Sequence, residues 1–284
     1  MAEPVVIVGL ALAISIIILN ISEIIILCRR KRKLLYETLL VSLSVSDLCL
    51  GLGEFSVNIV IMVGVKDNSP NYVYMTYFFF LVVSVLLLLF ISIDRLHAVA
   101  YPIHHKTHQR GRTTKYLIVS SWSVSFIMTG GYVINYFVNN FHIKYTSKSQ
   151  YCDVIVSMIT YILIIANVLY IIIYSVIAYL IWSRRVILQG EDQIKKQIKK
   201  QRQGVILCTC TVLAFIAFTC PFSISYVLHP KLPNKWTLLA LGANSAMNSI
   251  IFLLQEFIRN RVSQRKASSS IASNQNMMLN SSDL

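Results

Sequence analysis

The residues best suited to chemistry in this chain are polar side chains set inside long apolar runs. Asp47 stands in Leu43-Ser44-Val45-Ser46-Asp47-Leu48. An ionisable group in a spanning helix costs ~2.5–3.5 kcal/mol on insertion scales, so it is a functional candidate by default. Asn20, Ser84, Asn244, Ser245 and Asn248 lie in similarly apolar surroundings. If they converge, they supply one carboxylate and several neutral oxygens around water or a small hard cation. The competing reading is that they hydrogen-bond helices to one another. A second constellation, Asp94-Arg95, closes a long apolar run and is followed by Tyr101-Pro102-Ile103. In a helix, Ser84 and Arg95 fall on one face about 16 Å apart, with Tyr77, Leu81 and Leu88 on the same stripe.

The elements that must position these groups follow from composition. Of 284 residues, 56% are hydrophobic and 13% charged, about half the charge of ordinary soluble domains. Lipid is the natural solvent for such a surface. Seven apolar stretches are long enough to cross a ~30 Å hydrocarbon core as helices, at 5–28, 38–65, 72–98, 116–138, 153–182, 204–229 and 236–255. Barrel strands would alternate in polarity, and runs such as Leu86-Leu87-Leu88-Leu89 do not. The expected fold is therefore an all-α membrane protein, a seven-transmembrane helix bundle with a short interfacial eighth helix. Residues 1–4 form a short extracellular N-terminus, 5–255 the bundle, 256–266 the interfacial amphipathic helix and 267–284 a disordered cytoplasmic tail. The start, Met1-Ala2-Glu3-Pro4, lacks a basic n-region, so the first helix is expected to act as a signal anchor.

The net charge of +14 is a matter of topology. Of the 26 Lys and Arg residues, 21 fall in alternate loops and the tail, and 5 in the remainder. The basic-rich side is expected to face the cytoplasm, with the N-terminus outside, and to contact anionic inner-leaflet lipid. Nucleic acid is not an expected partner. Internal repeats, interrupted helices and paired catalytic groups are not apparent, which disfavours a transporter or an enzyme.

The segment Ile91 to Ile103, with Asp94-Arg95-Leu96, resembles the end of helix 3 in rhodopsin-like (class A) G-protein-coupled receptors, Leu96 replacing the usual Tyr. The resemblance covers nearly the whole chain. Asn20 is similar to the helix 1 Asn, Asp47 to the helix 2 Asp, Trp122 to the helix 4 Trp and Tyr174 to the helix 5 Tyr. Phe215 and Pro221 match the helix 6 Phe and Pro, and Asn248 opens the helix 7 motif. The resemblance implies a plasma-membrane receptor that passes an extracellular ligand signal to a heterotrimeric G protein through outward movement of helix 6. By the same token Asp47, Ser84, Asn244, Ser245 and Asn248 would form a pocket for an allosteric sodium ion. Arg95 would be the coupling switch, restrained by Asp94, and Ile103 a knob inserted into the G protein. Tyr174, Phe215, Pro221 and Phe252 would relay activation, while Asn20 and Trp122 would be structural.

Departures from the pattern favour the alternative of a receptor-fold protein that does not couple, acting as dimer partner, scavenger or chaperone. Pro70 stands where helix 3 begins with a Cys, so Cys152 lacks the usual disulfide partner. Ala166 replaces the helix 5 Pro, Thr219 the helix 6 Trp, Ser249 the helix 7 Pro and Phe252 the helix 7 Tyr.

The ligand pocket suggested by the resemblance comprises Tyr77, Phe78, Leu81 and Tyr226, against a competing reading as packing and interfacial aromatics. Glu54, two turns from Asp47 on one helix face, would favour a cationic group or else sit protonated among neighbours. Tyr77 occupies the place of the aminergic Asp, which disfavours simple amines. Glu23, three residues after Asn20, receives no functional account from sequence. His104, His105 and His108 read as solvated loop residues. In the tail, serines would serve kinase and arrestin, and Ser282-Asp283-Leu284 fits a class I PDZ ligand.

Overall fold

The computed structural model describes residues 4–30, 35–63, 69–101, 111–142, 148–187, 192–228, 239–240, 242–261 and 264. Among the described residues there are seven helices and no strand: α1 (Pro4–Arg29), α2 (Leu35–Val63), α3 (Ser69–Ala100), α4 (Gly111–His142), α5 (Lys148–Ile187), α6 (Asp192–Leu228) and α7 (242–261). Five of them, α1, α2, α3, α5 and α6, contain described stretches long and apolar enough by length and composition to cross a membrane.

α1 shows how the sequence orients a helix when lipid is the solvent. Its buried stripe runs Val6, Gly9, Ala13, Ile16, Asn20, Glu23 and Leu27, at alternating three- and four-residue steps. The opposite face, with Ile7, Ile14, Ile18, Ile21 and Ile25, is exposed. The polar groups therefore sit on the inward stripe and a row of isoleucines looks outward, the reverse of a soluble helix. Small residues permit close helix approach: a Cβ added at Gly51 of α2 would lie 2.7 Å from Ile16 Cγ2 of α1.

α3 is the central rod. It packs against α2, α4, α5 and α6, and its spanning stretch is 56% buried, against 28% for those of α1, α2 and α5. Apolar side chains collect at two levels. One layer joins Leu81, Val85 and Leu88 of α3 to Leu163 and Tyr170 of α5 and Phe215 and Phe222 of α6. The other joins Leu27, Leu43, Leu87, Leu207 and Phe252 from α1, α2, α3, α6 and α7.

The helices outrun the apolar stretches. In the basic segment expected as a loop at 183–203, residues 183–187 and 192–203 are helical, and 188–191 lie outside the described residues. Asp192 to Gln203 is rich in Lys, Gln, Arg and Ile, good or tolerable helix formers without Gly or Pro. Hydropathy marks the lipid thickness and is blind to such extensions. At the other end, helical residues run unbroken from 242 to 261, so no break sets off the interfacial helix expected at 256–266. Cys28, Cys49, Cys208, Cys210 and Cys220 are free thiols. The side chain of Cys152 lies outside the described residues.

Candidate functional site

Asp47 is fully buried and is the acceptor at the centre of a three-helix network. Its Oδ1 accepts from Ser84 Oγ of α3 at 2.9 Å and from Ser245 Oγ of α7 at 3.1 Å, and its Oδ2 accepts from Asn248 Nδ2 at 3.0 Å. Ser46 extends the network, 3.1 Å from Ser84 Oγ and donating to the Phe80 carbonyl at 3.0 Å. Three of the four expected partners of Asp47 thus converge on it. Asn244, one residue before Ser245, makes no hydrogen bond to Asp47; its Oδ1 is buried without any partner. An orphaned acceptor beside a hydrogen-bonded carboxylate suits a small hard cation, which binds oxygen ligands.

Asn20 and Glu23 form an adjoining unit. Asn20 donates to the Ile16 carbonyl at 2.9 Å, which fixes its amide and turns Oδ1 toward Ser249 Oγ, 2.9 Å away. The same Ser249 hydroxyl is 2.7 Å from Glu23 Oε2. Ser249, which replaces the expected Pro, therefore ties α7 to two polar groups of α1. Sequence alone gives Glu23 no role because its partner lies 226 residues away; its place on the Asn20 stripe indicates only that it faces inward.

At the far end of α3, Asp94 and Arg95 are both buried and form an ion pair. Arg95 Nε also donates to Asp94 Oδ2 at 3.1 Å. One turn beyond Arg95, Val99 of α3 packs with Ile177 of α5 and Val205 of α6. Ile103 lies outside the described residues.

Of the relay residues, Tyr174, Phe215 and Phe252 pack between helices, while Pro221 is exposed on α6. Phe215 meets Tyr170 edge-on with centroids 5.3 Å apart, and Tyr170 donates to the Val85 carbonyl at 2.8 Å. Pro221 lies inside α6, where it cannot donate to the carbonyl one turn back. Thr219, which replaces an aromatic, bonds instead to Asn167 of α5: Asn167 Nδ2 donates to Thr219 Oγ1 at 3.1 Å. Tyr174 packs near Phe252, but its buried hydroxyl has no partner. Phe252 is a buried packing residue under the guanidinium of Arg30, 5.5 Å from the ring centroid. Arg30 also pairs with Glu37 of α2 and, at 2.5 Å, with Glu256 of α7. This clasp of three helices gave no sequence signal, since each charge looks like ordinary loop polarity. Trp122 donates to Ser42 Oγ at 3.1 Å and packs on Phe79 and Phe80, joining α4 to α2 and α3.

The pocket candidates are only partly brought together. Leu81 is a core residue of the α3–α5–α6 layer. Tyr226 of α6 hydrogen-bonds Ser157 of α5, their oxygens 2.5 Å apart. Glu54 is buried with Oε2 lacking a partner, and Gly242 of α7 leaves the space it occupies; a Cβ there would come within 2.6 Å of that oxygen. The side chains of Tyr77 and Phe78 lie outside the described residues. Among those described, no group of three or more His, Cys, Asp or Glu side chains converges.

The profile of the family described as 7 transmembrane receptor (rhodopsin family) matches residues 20–253. That stretch contains the Asp47 network, the Asp94–Arg95 pair and Asn248. No individual curated protein matches the chain. The match covers most of the chain and agrees with the helical bundle and its inward polar groups: the chain belongs to the rhodopsin family of seven-transmembrane receptors.

Proposed function

We propose that this receptor passes an extracellular ligand signal to a heterotrimeric G protein by outward movement of α6. The observation that carries the reading is the buried Asp94–Arg95 pair, one turn of α3 from the cluster in which Val99 packs on α5 and α6. A charged pair at the inner end of the central helix is held where displacement of α6 would release the guanidinium toward a partner. The bundle is then a two-state device, and a ligand acts through its differential affinity for the two states. Sodium, held by Asp47, Ser84, Ser245 and Asn248 with the free Asn244 oxygen, would favour the resting state. The ligand would lie among Tyr77, Phe78, Leu81, Glu54 and Tyr226, and the unpartnered Glu54 oxygen supports a cationic group on it. The remaining proposed partners are kinase and arrestin at the tail serines, a PDZ domain at Ser282-Asp283-Leu284 and anionic inner-leaflet lipid. The site is the plasma membrane, N-terminus outside.

The test is guanine-nucleotide exchange on a reconstituted heterotrimer with wild type and Arg95→Ala. Exchange above the receptor-free rate that is lost in the variant supports coupling. Equal exchange favours a non-coupling receptor-fold protein, a reading supported by Phe252 and the unpartnered Tyr174 hydroxyl.

A further inference from the structure

Between Asp47 and the start of α2 lies a small cavity of about 10 Å³, room for roughly one water-sized sphere. Its polar wall comes from four helices: Glu23 of α1, Ser44 and Asp47 of α2, Thr211 of α6 and Asn248 of α7. Leucines and Phe252 supply the rest. Ser84 and Ser245, which hold Asp47 from α3 and α7, do not line it.

Hydrogen bonding at this wall is one-sided. Ser44 donates to the Leu40 carbonyl at 2.9 Å and Thr211 to the Leu207 carbonyl at 3.0 Å, so both hydroxyl protons are engaged within their own helices and the oxygens remain acceptors. Asn248 donates through Nδ2 to Asp47, while its Oδ1, on a residue 7% exposed, has no partner. Two carboxylates, Glu23 and Asp47, line the space with no Lys, Arg or His beside them. A buried carboxyl group is stable when it holds its proton or, ionised, when a cation compensates it; two carboxyls with three acceptors turned to one space favour the cation. Water can satisfy an acceptor but supplies no charge.

We infer that this cavity binds one hard divalent cation, Mg²⁺ or Ca²⁺, between the Glu23 and Asp47 carboxylates, with Asn248 Oδ1 and the Ser44 and Thr211 oxygens as neutral ligands. Two carboxylates neutralise one such ion, and both metals take oxygen ligands of these types. The inference rests on the reading of Asp47 as a cation-binding carboxylate. It adds a position that Ser84 and Ser245 do not line, and it gives Glu23 a role. Ser249 positions Glu23 through its 2.7 Å bond, so α1 and α7 share responsibility for the site.

The test is thermal unfolding of the purified full chain in lipid nanodiscs, titrated separately with MgCl₂, CaCl₂ and NaCl at constant ionic strength. A cation that binds only the folded chain raises the melting temperature with its concentration. The expected result is a rise with Mg²⁺ or Ca²⁺ that Glu23→Gln abolishes while the sodium response persists. Thr211→Val, similar in shape but without the ligand oxygen, should raise the half-saturating divalent concentration several-fold, and it carries the test should Glu23→Gln not fold. No divalent response in wild type, an undiminished one in Glu23→Gln, or an unchanged half-saturation in Thr211→Val overturns the inference. A wild-type chain that answers to divalents but not to sodium refutes the sodium pocket alone.

Discussion

Replacing Thr219 by Val isolates the tie between α5 and α6, because the side chains are similar in shape and only the hydroxyl is lost. Thr219 is fully buried and Asn167 nearly so. The Thr219 hydroxyl accepts from Asn167 Nδ2 at 3.1 Å, and its proton is shared between the Phe215 carbonyl at 2.7 Å and Asn167 Oδ1 at 3.2 Å. After substitution the Asn167 amide retains only a weak contact to Cys220 Sγ at 3.9 Å. A hydrogen bond between membrane helices averages ~0.6 kcal/mol and reaches ~1.7, and stranding a buried amide costs about 1–3 kcal/mol. A loss of ~1–2 kcal/mol confined to the resting arrangement shifts the two-state ratio about 5- to 30-fold. Basal, ligand-free nucleotide exchange in membranes at matched receptor levels should rise by a factor in that range while the active state remains the minor one. Asn167→Leu should produce a comparable rise, and the double variant little more, since both remove one interaction. Unchanged basal exchange in well-expressed Thr219→Val, or fully additive effects, would refute the tie as a restraint on α6.

Further outcomes follow from the packing. Gly51→Val should lower stability by about 1–3 kcal/mol, because its Cβ would meet Ile16 Cγ2 at 2.7 Å; an unshifted melting temperature would show that α1 and α2 have slack there. Arg30→Gln removes the guanidinium shared by Glu37 and Glu256, whose side chains are 5% and 14% exposed, and leaves Glu256 its pair with Arg259 at 2.6 Å. A loss of about 1–3 kcal/mol is expected, below the 3–5 of a fully buried pair because the guanidinium is partly exposed; Glu256→Gln added to Arg30→Gln should recover part of the melting temperature. Trp122→Phe removes the bond to Ser42 and should cost ~0.6 kcal/mol with basal exchange unchanged, so a large change in exchange would assign Trp122 more than a structural role.

What could be read from sequence is what a single helix dictates. Asp47, Ser84, Ser245 and Asn248 stand out because polar groups in apolar helices must turn inward, and the helical period places them on inward faces. Asn244 belongs with them on the same grounds, yet its amide oxygen stays unpartnered; the period gives the face, but the distance across a bundle depends on how neighbouring helices seat. Glu23 shows the same limit from the other side. Its face was readable, but its partner Ser249 depends on the register of α7 against α1, and the residue that enables it stands where a Pro was expected. Helix ends were hidden for a different reason. Asp192 to Gln203 is helical in a run of good helix formers, and a reading based on lipid thickness assigns it to a loop. The Arg30 clasp with Glu37 and Glu256 could not be foreseen from local pattern because its charges come from three separate segments.

Outward displacement of α6 is what ligand binding must produce if the bundle is a switch. Nitroxide labels at Tyr116→Cys on α4 and Ile206→Cys on α6, both exposed sites, report that displacement in a chain whose exposed Cys28 and Cys210 are replaced. Pulsed electron paramagnetic resonance in nanodiscs, with and without nucleotide-free heterotrimer, should show the distance distribution moving outward by several ångströms and Arg95→Ala suppressing the shift. One distribution, unchanged by the heterotrimer, would contradict the claim that this receptor couples through α6.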